Sequence, residues 1–104
     1  MKKLCCIALS LLPMAALAYP IEVQESLANT EITYYSQEIT YDMAGILLTN
    51  HGTQPARCKA VFRNGPEAPR TRKVLVAPHS QSNINAKFTR EILRLRINLS
   101  CENA

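Results

Sequence analysis

Over nine residues near the C-terminus, Leu93, Leu95, Ile97, Leu99 and Cys101 alternate with Arg94, Arg96, Asn98 and Ser100. Successive side chains of a β-strand point to opposite faces, so this period of two sorts the residues into an apolar side and a polar side. A helix over 89–99 is the rival, with Glu91, Leu95 and Leu99 at helical spacing. The five-fold alternation is longer, and strand is the preferred reading. Residues 56–63 repeat the pattern, with Cys58, Ala60 and Phe62 on the inner side and Arg57, Lys59 and Arg63 on the outer. An interior built this way belongs to an all-β protein.

The rest of the chain from Tyr19 agrees. Strands are expected at residues 21–26, 31–37, 45–50, 56–63, 70–77, 82–88 and 92–101, seven in all. They are separated by Asn50-His51-Gly52, Asn64-Gly65-Pro66 and Ala77-Pro78-His79, with softer breaks at Leu27-Ala28-Asn29 and Tyr41-Asp42. Asn and Gly tolerate positive φ in turns, and proline removes a ladder donor.

Before Tyr19 the character changes. Lys2 and Lys3 precede an apolar run at residues 4–12, Pro13 breaks it, and Ala16-Leu17-Ala18 offers a small-x-small cleavage pattern. This is the layout of a secretory signal peptide over residues 1–18. The run is about half the length of a spanning helix, so no transmembrane segment is expected after cleavage. Cleavage after Ala18 removes Cys5 and Cys6 and leaves a single domain at residues 19–104, which is 104 − 18 = 86 residues. The expected location is periplasmic or secreted.

Two cysteines remain, Cys58 and Cys101, and both fall on the inner side of their strands. An even count in an exported chain favours a disulfide. A metal site using both thiolates with His51 or His79 is the alternative, but no CxxC or HxxxH spacing supports it. No metal or other cofactor is expected.

Enzymatic chemistry is poorly provided for. Glycines stand only at 45, 52 and 65, so no glycine-rich phosphate loop exists. Asp42 is the only aspartate, and nothing places it beside a histidine and a serine. A disulfide would also remove Cys58 and Cys101 as nucleophiles. The chain reads as a protein that is not an enzyme.

Charge is unevenly spread. Residues 19–56 hold five acids (Glu22, Glu25, Glu31, Glu38, Asp42) and no Lys or Arg, a balance of −5. Residues 57–104 hold ten Lys or Arg and three Glu, a balance of +7. Such asymmetry is either a set of solvated strand faces or an attractor for an anionic partner. Lys59, Arg63, Arg94 and Arg96 are the candidate anion-binding residues. Nucleic acid is disfavoured because the basic run lacks interleaved aromatics for base stacking.

The stretch "GILLTNHGTQPARCKAVF" resembles the second and third strands of immunoglobulin-like or fibronectin-type sandwiches, and "VLVAPHSQSNINAKF" resembles their later strands. The likeness covers residues 44–101, without the core tryptophan or the cysteine spacing of antibody domains. The whole chain is also similar to small exported proteins of Gram-negative bacteria. The resemblance implies an antiparallel β-sandwich in which strands 56–63 and 92–101 are antiparallel neighbours. A disulfide would then set Cys58 opposite Cys101, Ala60 opposite Leu99 and Phe62 opposite Ile97. Arg57 would meet Glu102, and Arg63 would meet Arg96, a like-charge pair with no evident structural purpose. The expected function is a small extracytoplasmic interaction or accessory module of unknown protein partner. The alternative is a binder of lipopolysaccharide, another anionic polymer or an acidic protein patch.

Overall fold

The computed structural model describes residues 19–104. The signal peptide expected over residues 1–18, with Cys5 and Cys6, lies outside the described residues. Seven strands form: β1 (Ile21–Ser26), β2 (Ile32–Thr40), β3 (Met43–Asn50), β4 (Ala56–Asn64), β5 (Arg70–Val76), β6 (Gln81–Lys87) and β7 (Leu95–Asn103). No helix occurs among the described residues.

The strands divide into a four-stranded sheet ordered β1-β7-β4-β5 and a three-stranded sheet ordered β2-β3-β6. Hairpins join β2 to β3 and β4 to β5, and every other connection crosses between the sheets. All pairs are antiparallel except β1 with β7, which is parallel. A wholly antiparallel arrangement is therefore not what forms. The reason is topological: β1 joins the far edge of β7 rather than pairing with its sequence neighbour β2, and no hairpin dictates its direction.

Alternation builds the core. Along β4 the buried residues are Ala56, Cys58, Ala60 and Phe62, and along β7 they are Leu95, Ile97, Leu99 and Cys101. These pack against Ala44, Ile46 and Leu48 of β3 and Ile84 and Ala86 of β6. Tyr19, Phe88 and Ile92 are buried in the same cluster. Ile32 of β2 and Val76 of β5 are buried as well, while Ile21 and Val23 of β1, Tyr34 of β2 and Val74 of β5 are only half-buried.

The β4–β7 register places Cys58 opposite Cys101, Ala60 opposite Leu99, Phe62 opposite Ile97, Arg57 opposite Glu102 and Arg63 opposite Arg96. A disulfide joins Cys58 to Cys101 across the two central strands of one sheet, with their Cα atoms 4.1 Å apart. Both thiols are thereby consumed, which overturns the metal alternative that needed them as ligands.

Only β1 keeps both expected ends; the other six strands shift by one to three residues at one end or both, and one of these shifts moves a side chain out of the core. The last strand starts at Leu95, not at Ile92, and Leu93 is 76% exposed instead of facing inward. Ile92 and Leu95 are both buried, three residues apart, so the backbone between them departs from the two-residue period. The Ile92 N–H is held by the Tyr41 carbonyl at 2.8 Å, and the Leu95 N–H by the Pro20 carbonyl at 3.0 Å. Residues 89–94 therefore arch off the end of the sheet, carrying Arg90, Glu91, Leu93 and Arg94 outward.

Candidate anion-binding face

The outer side of the four-stranded sheet follows from register alone. β4 presents Arg57, Lys59, Val61 and Arg63; β7 presents Arg96, Asn98, Ser100 and Glu102. β1 adds Glu22, Gln24 and Ser26, and β5 adds Thr71, Lys73 and Leu75. Five cations and two acids share this face. Arg57 pairs with Glu102 at 3.5 Å and Arg96 with Glu22 at 3.4 Å, all four side chains being more than half exposed. Exposed pairs of this kind are worth at most about 1 kcal/mol.

Two rungs carry like charges, Arg63 beside Arg96 and Lys59 beside Lys73. Repulsion across an exposed rung costs a few tenths of a kcal/mol, about what one exposed ion pair returns. Glu22, set opposite Arg96 by the parallel β1–β7 register, offsets the first rung. The like-charge pair therefore has a structural purpose in part, which the sequence reading missed. Among the described residues, Lys59, Arg63, Lys73, Arg90 and Arg94 have no ion-pair partner.

At the end of the sheet, the outer face meets the arch of residues 89–94 and the Asn64-Gly65-Pro66 turn. Together they enclose a cleft of about 370 Å³ lined by Arg63 and Arg96 from the strands and Arg90, Glu91, Leu93 and Arg94 from the arch. Four arginines and a single acid line this space. Two further grooves adjoin it over the sheet, one lined by Arg63, Arg96 and Asn98 with Glu22, the next by Arg63, Asn98 and Lys59 with Glu25.

Glu67 holds the arch in place. One carboxylate oxygen accepts the Thr89 N–H at 3.1 Å, and the other accepts the Arg90 N–H at 2.9 Å and the Asn64 side-chain amide at 3.1 Å. Arg70 stands 3.6 Å from the same carboxylate. Burial by itself pushes the Glu67 carboxyl up, but the Arg90 and Thr89 amides, then Arg70 and Asn64, reverse this and hold it below the ordinary value. Asn64, buried at the end of β4, also donates to the Arg90 carbonyl at 3.3 Å. The turn and the arch are thus tied by one carboxylate and one amide. Gly65 sits between them at φ +57°, a left-handed conformation that glycine adopts without steric cost.

Of the four basic residues singled out from sequence, the cleft brings together Arg63, Arg94 and Arg96. Arg94 reaches it from the arch and not, as the longer strand would have had it, from the outer face of β7. Lys59 is not in the cleft; it lies on the adjoining groove, four residues along β4 from Arg63. Sequence reasoning overlooked Arg90, Lys73 and Glu67. The β4–β5 hairpin gave a signal for Lys73, because pairing the two strands about the Asn64-Gly65-Pro66 turn sets it beside Lys59. Glu67, the one acid among six basic side chains of residues 56–74, was a signal of its own.

Neither a protein family, nor a curated protein, nor a solved structure matches the chain. The class that fold and site define is a two-sheet, seven-stranded all-β domain, bridged within one sheet by a disulfide and basic on that sheet's outer side. The disulfide is compatible with an oxidising, extracytoplasmic compartment.

Proposed function

We propose that this protein is a small extracytoplasmic interaction module, not an enzyme, whose ligand is an anionic polymer engaged by the outer face of the four-stranded sheet. The observation that carries the reading is the meeting of Arg63, Arg90, Arg94 and Arg96 in one cleft. A guanidinium presents a planar fork of donors that matches phosphate, sulfate and carboxylate, and it stays charged at every physiological pH. With Arg96 paired to Glu22 and Glu91 the one acid lining the cleft, Arg63, Arg90 and Arg94 leave an excess of positive charge that stable folding does not require.

A polymer suits the face better than a small anion. Arg63 and Lys59 are four residues apart on β4, about 13 Å at strand rise. That exceeds the screening length at physiological salt, about 8 Å, so one compact anion cannot answer both ends. A chain with repeated charges can run from the cleft along the grooves to Lys59 and Lys73. Lipopolysaccharide, another acidic polysaccharide and an acidic protein segment share this chemistry.

The fold supports the same role. The hairpins and sheet-crossing connections of β2–β7 accord with an immunoglobulin-like sandwich, a scaffold that displays binding surfaces on rigid strands; the parallel β1 and the bridge within one sheet set this version apart.

Retention on heparin and on lipopolysaccharide beads tests the reading. Arg63→Ser combined with Arg94→Ser should elute at distinctly lower salt from at least one of the two matrices, with thermal stability unchanged. Equal elution of the double variant and the parent from both would overturn it.

A further inference from the structure

Tyr19 is the first residue described and is built into the structure more firmly than β1, which it precedes. Its side chain is 8% exposed. Its hydroxyl lies 3.1 Å from the Thr40 carbonyl and 3.0 Å from the Met43 carbonyl, at the turn between β2 and β3. Its main-chain N–H donates to Glu38 Oε2 on β2 at 3.1 Å, while the next residue, Pro20, accepts from Leu95 at the head of β7. Residues 19 and 20 therefore tie the edge strand β2 of one sheet to the head of β7 in the other, and β1 starts its register on β7 at Ile21, opposite Leu95.

The charge around this nitrogen is one-sided. Burial first, then Glu38 and Asp42, holds the Tyr19 phenol above the ordinary value, and Glu38 also accepts from the Tyr19 nitrogen. Among the described residues neither acid has an ion-pair partner, and residues 19–56 contain no Lys or Arg to supply one. A cation is missing at the point where the sequence places a cleavage pattern, Ala16-Leu17-Ala18 before Tyr19. Hydrolysis of the Ala18–Tyr19 amide by a leader peptidase adds one water, leaves a carboxylate on Ala18 and converts the Tyr19 nitrogen from a neutral amide to an ammonium. That ammonium keeps the hydrogen bond to the Glu38 carboxylate and adds to it the attraction between two opposite full charges.

We propose that Tyr19 is the processed N-terminus and that its α-ammonium, created by cleavage, pairs with Glu38 to lock β1 onto the sandwich. Cleavage then does more than release the leader: it supplies the one cation that the acidic edge lacks, so that the processed chain is held more firmly than the precursor. The proposal rests on the signal-peptide reading, and its test separates the two.

The full chain is expressed with its leader in a host that exports it, and the intact mass of the product gives its first residue. Three further chains are prepared the same way: Glu38→Gln, an insertion of one glycine between Ala18 and Tyr19, and the two combined. The insertion keeps an amide at Tyr19 and moves the ammonium away. The parent should begin at Tyr19, and each single change should lower its Tm by about 2–8 °C, the effect of an ion pair at the upper end of the exposed range in a domain this small. The combined chain should melt no lower than the worse single one. A parent starting at another residue overturns the cleavage reading, and the proposal with it. A parent starting at Tyr19 whose Glu38→Gln form melts unchanged, or whose two changes add, overturns the lock alone.

Discussion

Breaking the bond between Cys58 and Cys101 gives the sharpest test of the fold's energetics. The two residues are directly opposite on β4 and β7, the central strands of their sheet, and they are 43 positions apart in sequence. Opening that loop in the unfolded chain releases about 4 kcal/mol of conformational free energy at 25 °C by the chain-entropy relation. The native state loses little in exchange, because the rest of the β4–β7 ladder and the buried sulfur atoms remain. A domain of this size is stable by about 4–13 kcal/mol, so the dithiol form should retain between almost nothing and two thirds of its stability. The assay is urea unfolding of protein refolded with and without reductant, followed by far-ultraviolet circular dichroism. The midpoint should fall, and the slope should rise as the unfolded chain expands. By heat, the same loss is a Tm drop of about 15–30 °C. A difference below about 1 kcal/mol would refute the reasoning, since it would mean that the bridge does not restrict the unfolded chain.

Two other outcomes follow from single side chains. Asn50, 2% exposed at the end of β3, donates to the carbonyls of Gln54 at 2.7 Å and Val76 at 3.2 Å and accepts the Gly52 N–H at 2.9 Å. Asn50→Ala should cost about 1–3 kcal/mol by leaving buried groups unpaired, read as a shifted urea midpoint. The folded-state carboxyl of Glu67 titrates below its unfolded value, so its contribution is complete above the ordinary carboxylate pKa and is lost as pH falls through the depressed one. Glu67→Gln should therefore flatten the acid limb of a Tm–pH curve below about pH 4.3, and an unchanged limb would count against the tie between turn and arch.

The parts of the fold that could be read in advance are those where one physical rule acts without competition. The period of two along β4 and β7 fixes which side chains are buried, and two cysteines on that buried side have only each other to bond. The β4–β7 register then follows as far as Arg63 and Arg96. Residues 89–94 escaped because two rules conflicted: hydrophobic alternation carried the inward face back to Leu93, while hydrogen bonds donated to the Tyr41 carbonyl and the Glu67 carboxylate, distant in sequence, pulled the backbone away. The parallel placement of β1 escaped for a similar reason, since nothing local specifies which edge a first strand joins. Arg63, Arg94 and Arg96 were legible as one basic group, but their enclosure by the arch depends on Glu67, whose partners are 22 and 23 residues away.

The most direct measurement of the proposed role is a map of backbone amide shifts as a short heparin oligosaccharide is titrated into the protein. Shifts should concentrate at Arg63, Gly65, Arg90, Arg94 and Arg96, continue weakly to Lys59 and Lys73, and shrink as salt is raised. The outer side of the other sheet, at Tyr35, Leu47 and Asn83, should stay still. No shift at low salt, or shifts spread evenly over both sheets, would contradict an anion-binding face built on the cleft.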